Sequence, residues 1–233
     1  MSEKIISIIP ARGRSKGLPR KNIVLLNGKP LIAYSIESAL KSRFISRVIV
    51  STEDAEITEI SKKYGSEVIN RPNDLAQDDS PTISVVINAL QVLAKEGYFP
   101  NIVILLQPTT PLRTYLDIDA ALELFMTKDC QSVISVSEID HSPYWSFAVK
   151  KGYLESLFDK KYQRMRRQDL PKIYLPNGAL FISRPERLCK TKSFYSTKTL
   201  PYMMPRERSI DIDDEMDLLQ AENLLKRSSA QIA

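Results

Sequence analysis

The chain has 233 residues, 43% of them hydrophobic, which is enough to bury the core of one α/β domain, and no apolar run is long enough to span a membrane. Its 33 basic and 28 acidic residues leave a net charge of only +5, and no lysine run or mixed basic-aromatic segment indicates a nucleic-acid partner. A single histidine and two distant cysteines exclude a His-rich metal site and argue against structural zinc; together with the lack of a signal peptide, they favour a cytoplasmic protein.

The first feature of the chain is a short apolar run that leads into a basic loop. Residues 5–9 (IISII) predict a buried strand that ends at Pro10. The loop that follows contains five cationic side chains and two glycines: Arg12, Arg14, Lys16, Arg20 and Lys21, with Gly13 and Gly17. Open α/β sheets bind phosphorylated ligands at the carboxyl ends of their strands, where glycines let backbone N–H groups approach phosphate closely. We therefore predict that this loop holds a nucleoside triphosphate.

Two common phosphate-binding sequences do not occur in this region. Pro30 replaces the hydroxyl residue that a Walker A motif needs after Gly28-Lys29, and Ala11 occupies the first glycine position of a Gly-x-Gly-x-x-Gly motif. The alternative interpretation of the loop is an ordinary solvated turn. Its concentrated positive charge argues against that interpretation, because the cations repel one another unless an anion is bound.

Strands and helices alternate from the basic loop to residue 137. Apolar patterns predict strands at 47–51, 67–69, 102–106 and 132–137, and helices at 31–40, 82–95 and 114–127, with a further helix capped by Thr52 or Asp54 and ended by Gly65. This alternation is typical of a parallel sheet with right-handed crossovers. We predict an α/β fold, a Rossmann-like three-layer sandwich with a mostly parallel central sheet.

The alternation stops between Glu138 and Pro176. Aromatic residues mix there with the basic cluster 164–167 (RMRR), and Lys151-Gly152 is typical of a hairpin turn. We interpret the chain as a single domain of residues 1–233 with a small inserted lobe, 138–176. This lobe covers the active site or contacts a partner subunit. Residues 179–183 predict a strand that returns to the main sheet, and apolar positions from Met216 to Leu225 predict a terminal helix.

Two further segments carry candidate chemistry. In an extended segment the side chains of Asp211 and Asp213 lie on the same side, opposite Ile210 and Ile212, and paired carboxylates are oxygen ligands for magnesium. The alternative for this region is capping of the following helix. The segment 107–111 (QPTTP) ends a strand with prolines that leave its polar side chains free to contact a base or ribose, or it forms a simple turn.

Taken together, five segments closely resemble the acylneuraminate cytidylyltransferases (CMP-sialic acid synthetases): 9–22 (IPARGRSKGLPRKN), 71–76 (RPNDLA), 106–113 (LQPTTPLR), 176–178 (PNG) and 209–213 (SIDID). The likeness covers nearly the whole chain in the right order. It implies a nucleotide-diphospho-sugar transferase fold and the activation of a nine-carbon 2-keto acid sugar with CTP, by attack of the C2 hydroxyl on the α-phosphate with release of pyrophosphate. It also implies Mg²⁺ as cofactor and a homodimer whose middle lobe reaches the neighbouring subunit's site.

The resemblance also assigns roles to individual residues. The implied nucleotide contacts are Ala11, Arg12, Gly13, Lys21, Asn22, Arg71, Ser80, Thr82 and Gln107. The implied sugar contacts are Gln107, Arg167, Asn177, Phe194 and Tyr195. Asp211 and Asp213 match the magnesium aspartates, while Arg12, Lys21 and Asp211 are the implied catalytic residues.

Three positions depart from the pattern of the bacterial sialic acid enzymes. Trp145 replaces a lysine, Leu175 replaces an arginine and Phe181 replaces a tyrosine. Losing two charge-assisted contacts of about 1.5–3 kcal/mol each changes sugar preference, so legionaminate, pseudaminate, 3-deoxy-octulosonate and other nucleotides remain alternatives. The other hypotheses are a nucleotide-binding module without catalysis and an RNA-binding protein that uses residues 164–167.

Overall fold

The computed structural model describes residues 3–230, so both ends of the predicted domain, 1–2 and 231–233, lie outside the described residues. The strands are β1 Ile5–Pro10, β2 Leu25–Leu26, β3 Lys29–Pro30, β4 Ile45–Thr52, β5 Glu67–Asn70, β6 Ile102–Leu105, β7 Ser132–Glu138, β8 Phe147–Lys150, β9 Tyr153–Ser156, β10 Tyr174–Ser183 and β11 Thr199–Met203. The α-helices are α1 Leu31–Leu40, α2 Ala55–Lys63, α3 Thr82–Lys95, α4 Tyr115–Thr127, α5 Pro185–Thr191 and α6 Glu215–Ala230. None of these helices is long and apolar enough to cross a membrane.

Seven strands form the central sheet in the order β11-β7-β10-β6-β1-β4-β5. The neighbouring pairs are parallel except those of β10, which runs antiparallel to both β6 and β7. The predicted α/β fold with a mostly parallel sheet is therefore confirmed. The edge strand β11 was not predicted, because Pro201 interrupts its apolar pattern; an edge strand tolerates the missing backbone N–H of proline.

Helices cover both faces of the sheet, as the alternation of residues along β1 requires. Ile5 and Ile9 pack in one buried cluster with residues of α1, α2 and α4, whereas Ile6 and Ile8 pack in a second cluster with residues of α3 and α5. Successive side chains of a strand point to opposite faces, so a short run of isoleucines supplies both layers of the core. This arrangement is the predicted three-layer sandwich.

The carboxyl ends of β1, β4 and β6 meet at one edge of the sheet. Pro10 is paired with Ser51 in the ladder, the Ala11 N–H donates to the Ser51 carbonyl at 3.0 Å, and the Leu106 N–H donates to the Ile8 carbonyl at 3.1 Å. The Arg71 N–H likewise donates to the carbonyl of Thr52 at 2.9 Å. The loops that follow these strands are consequently brought to the same edge, where ligands of open α/β sheets bind.

A third buried cluster joins the two ends of the chain. Ile212 is fully buried and packs with Leu18, Leu26 and Leu31, and its N–H donates to the Thr109 carbonyl at 2.8 Å. The segment before α6 is thereby fixed between the first loop and the loop after β6. This contact places the carboxylates that flank Ile212 at the same edge of the sheet.

The region of the predicted lobe contains a hairpin outside the central sheet. Strands β8 and β9 pair antiparallel, and Lys151 and Gly152 between them both have positive φ, 51° and 84°, as a two-residue type I′ turn requires. Nearby, Tyr144 stacks on Tyr162 with ring centroids 4.2 Å apart. The Trp145 indole N–H donates to the Tyr162 carbonyl at 2.9 Å. These contacts pack partly buried aromatic side chains against one another beside the hairpin.

We expect Ile212→Ala to lower the free energy of unfolding by about 2–5 kcal/mol, because it leaves a cavity among well-packed leucines. Urea denaturation followed by circular dichroism measures the change. Leu219→Ala is the control, since Leu219 on α6 is 53% exposed and its loss should change stability by no more than about 0.5 kcal/mol. Equal effects of the two substitutions would contradict the anchoring role of Ile212.

Candidate active site

A cavity of about 560 Å³ opens at the carboxyl ends of the central strands. Nine residues with predicted roles line it: Arg12, Lys21, Asn22, Arg71, Ser80, Thr82, Gln107, Asp211 and Asp213. They come from the loops after β1, β5 and β6, including the first residue of α3, and from the segment before α6, so the fold brings together residues far apart in sequence. Lys16, a cation of the first loop without an assigned role, also lines this cavity.

The cations of the cavity are held by carboxylates of neighbouring loops. Arg12 lies 3.0 Å and Lys16 3.1 Å from the carboxylate of Asp78. Lys21 donates to Asp213 at 2.8 Å, although the two residues are 192 positions apart.

Arg71, of which only 5% is exposed, is held in the same way by an acidic residue. Its guanidinium donates to Glu53 at 2.5 and 3.2 Å. A buried charge needs such a partner to offset the loss of hydration. Arg71 therefore lines the cavity while it is ion-paired with Glu53.

Not all cations of the first loop face the cavity. Arg14 is exposed outside its lining, and Arg20 has a left-handed backbone with φ of 55°. The Arg20 guanidinium donates to both carboxylate oxygens of Asp54, at 2.5 and 3.0 Å, and to Glu56 at 2.5 Å. This bidentate pair lowers the pKa of Asp54, and Asp54 also caps α2 by accepting the Ile57 N–H. Arg20 therefore attaches the loop to α2.

Ala11 and Gly13 support the cavity from behind and do not line it. Ala11 is buried in the core, and its N–H is bonded to Ser51, while the Gly13 N–H donates to Glu53 at 2.8 Å. A Cβ at Gly13 would lie 2.3 Å from the Asp54 carboxylate, so glycine is required by close approach. The backbone N–H groups of both residues, which the resemblance places among the nucleotide contacts, are bonded within the protein.

Asn22 and Gln107 line the cavity but have different surroundings. The Asn22 side chain is 6% exposed and donates to the Arg12 carbonyl at 2.9 Å, which fixes the first loop. The Gln107 side-chain oxygen lies against Gly178, where an added Cβ would come within 2.3 Å of it. Gly178 also has a positive φ of 76°, so two constraints favour glycine beside Gln107.

Arg113 is a supporting residue to which the sequence assigned no role. It is 2% exposed and donates to the Ala179 carbonyl at 2.7 Å, the Ser35 hydroxyl at 2.6 Å and the Gln107 carbonyl at 3.4 Å. Burial lowers the pKa of Arg113 to about 10. The guanidinium therefore joins α1, β10 and the loop after β6 beneath Gln107. The sequence signals for Arg113 were its place at the end of the segment 106–113 and just before α4.

The remaining predicted sugar contacts are distributed over different places. Asn177 lines a second cavity of about 650 Å³. Asp211 lines this second cavity as well as the first, so Asp211 borders both cavities. The Asn177 amide donates to the Ser209 hydroxyl at 2.8 Å and accepts from the Ser135 hydroxyl at 2.6 Å. It therefore attaches the segment that presents Asp211 to the central sheet.

Three predicted sugar contacts line neither of these two cavities in the described part of the chain: Arg167, Phe194 and Tyr195. Arg167 lines a third, smaller cavity and its side chain is 67% exposed, with Asp140 at 3.7 Å. Phe194 is buried in the core, its ring centroid 5.6 Å from that of Phe181. Tyr195 is 59% exposed. Within one chain, the structure does not bring these three residues together with Gln107.

Asp211 and Asp213 lie on the cavity side of the chain, with Ile212 buried between them. Although Asp211 remains open to the cleft, desolvation of its carboxyl group raises its pKa, and the nearby carboxylates of Asp213 and Asp217 add to this effect. A Cβ at Gly17 would lie 2.4 Å from the Asp213 carbonyl, so glycine allows the first loop to approach this segment. The pair of oxygen ligands fits a hard divalent cation that also binds phosphate.

Capping of α6 belongs to a different residue. The Asp214 carboxylate accepts the N–H groups of Met216 at 2.8 Å and Asp217 at 3.0 Å. Asp211 and Asp213 are thus free of the capping role. Over residues 3–230, no group of three or more histidine, cysteine or acidic residues is arranged to hold a metal ion.

Comparison with known proteins identifies the family. The family model described as "Cytidylyltransferase" matches residues 6–228. The chain belongs to the cytidylyltransferase family. The resemblance in the five sequence segments is confirmed by this match, which covers the first loop, the cavity and the segment of Asp211 and Asp213.

Named relatives differ in the sugar that their names specify. N-acylneuraminate cytidylyltransferase of Escherichia coli O18:K1:H7 (strain RS218 / NMEC) is 36% identical over 99% of this chain, which covers 54% of that relative. This chain thus spans about half the length of that curated enzyme. CMP-N,N'-diacetyllegionaminic acid synthase of Legionella pneumophila (strain Philadelphia 1) is 37% identical, with 96% of this chain and 97% of the relative covered.

A solved structure supports the fold. The structure of CMP:2-keto-3-deoxy-manno-octonic acid synthetase complexed with CTP superposes with a TM-score of 0.72 and covers 97% of this chain and 99% of its own. The two sequences are 18% identical, so the similarity concerns the fold alone.

We expect Asp54→Asn to lower the free energy of unfolding by about 1 kcal/mol at neutral pH, since asparagine keeps the helix cap but loses the charge that faces Arg20. Because the native pKa of Asp54 is lowered, its stabilisation is complete above the unfolded-state value of about 3.9 and disappears as the pH falls through the native value. Urea denaturation of both proteins between neutral pH and about pH 3 measures this.

The control for this pH series is Glu59→Gln, which removes an exposed carboxylate from the same helix. It should leave stability within about 0.5 kcal/mol at each pH. A stability difference between Asp54→Asn and the native protein that stays constant across the series would contradict the electrostatic origin.

Proposed function

We propose that the chain is a nucleotidyltransferase that transfers CMP from CTP to an acidic nonulosonic sugar, an N-acylneuraminate or a relative, and releases pyrophosphate. The observation that carries the proposal is the cavity in which Arg12, Lys21 and Arg71 lie together with Asp211 and Asp213. Cations in one cleft suit a triphosphate, and carboxylates among them suit a phosphate-bound metal ion. The names of the two relatives support the sugar class.

The proposed reaction is in-line attack of the sugar's C2 hydroxyl oxygen on the α-phosphorus of CTP. The new oxygen–phosphorus bond forms as the bond to the β-phosphate oxygen breaks, and pyrophosphate carries away that electron pair. Arg12 and Lys21 stabilise the negative charge that develops on the phosphate oxygens. One of the two aspartates Asp211 and Asp213 helps to deprotonate the hydroxyl, and Asp211 borders both cavities.

Mg²⁺ is part of the same proposal. Asp211 and Asp213 would hold the ion through carboxylate oxygens, and the bound ion would supply positive charge at the phosphates. Lys21 donates to Asp213 and so keeps one of these carboxylates in position. Activity should require a divalent cation and should be lost when EDTA is added.

The identity of the sugar is the less constrained part of the proposal. Leu175 lines the second cavity and is 56% exposed, Trp145 bonds to Tyr162, and Phe181 packs on Phe194. None of these three side chains offers a charge to the sugar. The first alternative is therefore the same reaction with a different sugar (legionaminate, pseudaminate or 3-deoxy-octulosonate) or with a different nucleotide. The second alternative is a nucleotide-binding module without catalysis.

We test the activity with a matrix of four nucleoside triphosphates against a panel of acidic sugars, scored by pyrophosphate release. The proposal expects release only when CTP, an acidic nonulosonate and Mg²⁺ are present together. Release with legionaminate, pseudaminate or 3-deoxy-octulosonate but not with an N-acylneuraminate, or release with a nucleotide other than CTP, would select the first alternative. CTP binding by calorimetry without turnover on any sugar would select the non-catalytic module.

We expect Asp211→Asn to lower turnover at least about tenfold, which corresponds to about 1.4 kcal/mol of transition-state stabilisation. Asp214→Asn is the matched control, because it removes the same charge three residues away and asparagine preserves the cap of α6. Steady-state pyrophosphate release gives both rates. Near-native turnover of Asp211→Asn would contradict the assigned role.

We also propose a cytoplasmic homodimer, which the free thiols of Cys130 and Cys189 suit and the exposed β8–β9 hairpin supports. Val149, Tyr153 and Leu154 of the hairpin are 73%, 80% and 71% exposed, an apolar patch that a second copy could cover. Leu154→Ser should shift the mass measured by sedimentation toward the monomer. Leu116→Ser, which changes a leucine on α4 that is 62% exposed, should leave it unchanged.

A further inference from the structure

Two of the cavity's cations share one acidic residue that has no assigned role. Asp78 places one carboxylate oxygen 3.0 Å from Arg12 and the other 3.1 Å from Lys16. All three residues line the first cavity. The carboxylate of Asp78 therefore lies next to the two cations, in the place where a phosphate group would bind them.

The loop that carries Asp78 is held by contacts of its own. The Gln77 side chain donates to the Asn73 carbonyl at 2.9 Å, and the Ser80 hydroxyl donates to the Asp74 carbonyl at 2.9 Å. Arg12 also donates to the Gln77 carbonyl at 3.0 Å, and this bond attaches the loop that carries Asp78 to the basic loop after β1. The position of Asp78 over the cations is thus set by the loop's structure as well as by charge.

A phosphate chain and Asp78 compete for the same donors. The Nη1 group of Arg12 makes both loop contacts, with Gln77 and with Asp78, so a phosphate that binds this nitrogen must displace at least one acceptor. The side chains of Arg12 and Asp78 are 29% and 41% exposed, which makes their pair weak enough to exchange. Lys16 is 78% exposed and free to follow either partner.

We propose that Asp78 is a specificity-determining residue that competes with phosphate for Arg12 and Lys16. A highly charged phosphate chain displaces its carboxylate, whereas a weakly charged anion does not. After transfer, the carboxylate returns to the two cations and favours departure of pyrophosphate. The inference rests on the proposed function, because it takes a triphosphate as the ligand of this cavity.

The test compares binding of CTP, pyrophosphate and cytidine to the full chain by isothermal titration calorimetry. Asp78→Asn should bind CTP and pyrophosphate about three- to tenfold more tightly than the native protein, since it removes two competing ion pairs, while cytidine affinity stays unchanged. Pyrophosphate should also become a stronger product inhibitor of this variant. Asp79→Asn is the matched control: Asp79 is exposed, forms no ion pair with the described residues, and carries the same charge.

Each outcome decides the inference. Unchanged CTP binding by Asp78→Asn would show that Asp78 does not affect binding, and weaker binding would show that it orients the cations. Either result overturns the proposal. Equal tightening by Asp79→Asn would reduce the effect to net charge and overturn it as well. If the native chain binds neither CTP nor pyrophosphate, the proposed function fails and this inference fails with it. Asp78→Ser is measured in the same way if Asp78→Asn does not fold, as judged by its melting temperature.

Discussion

The burial of Ile212 against Leu18 and its neighbours is the contact on which the candidate site depends. It holds the segment before α6 against the first loop, with the Thr109 carbonyl accepting its N–H. Without this anchor, nothing local would bring Asp213 within 2.8 Å of Lys21. A hydrophobic contact thus sets the geometry of the charged site, because the side chains on either side of a buried residue in an extended segment must point the other way.

Charge balance is the second constraint on the site. Arg12 and Lys16 face Asp78, and Lys21 faces Asp213, so the cations at the cavity surface are kept near one another without net repulsion. These pairs are partly exposed and individually weak, so a ligand of high charge can replace them. The pair of Arg71 with Glu53 is different, since both side chains are largely buried and the pair contributes to the wall of the cavity.

The two halves of the proposed reaction differ in how completely one chain supplies them. The nucleotide half is continuous: residues from the first loop, the loop after β5, the end of β6 and the segment before α6 share one cavity. The sugar half is divided, with Asn177 in the second cavity and Arg167 in a third. Arg167 and the apolar hairpin both belong to the 138–176 region. The proposed homodimer would pair two copies through the hairpin of this region.

The sequence by itself determined most of the fold and pointed to nine of the residues that line the first cavity. The strands of the central sheet up to residue 137 follow from short apolar runs and the helices from a 3.6-residue period, which are local patterns, and the position of the basic loop after β1 is local as well. Only the tertiary structure decided that Arg20 pairs with Asp54, that Arg113 supports Gln107, and that β11 joins the sheet despite Pro201. The reason is physical: each of these outcomes depends on a partner from a distant part of the chain, and no local pattern encodes which partner a polar group will meet once it is buried.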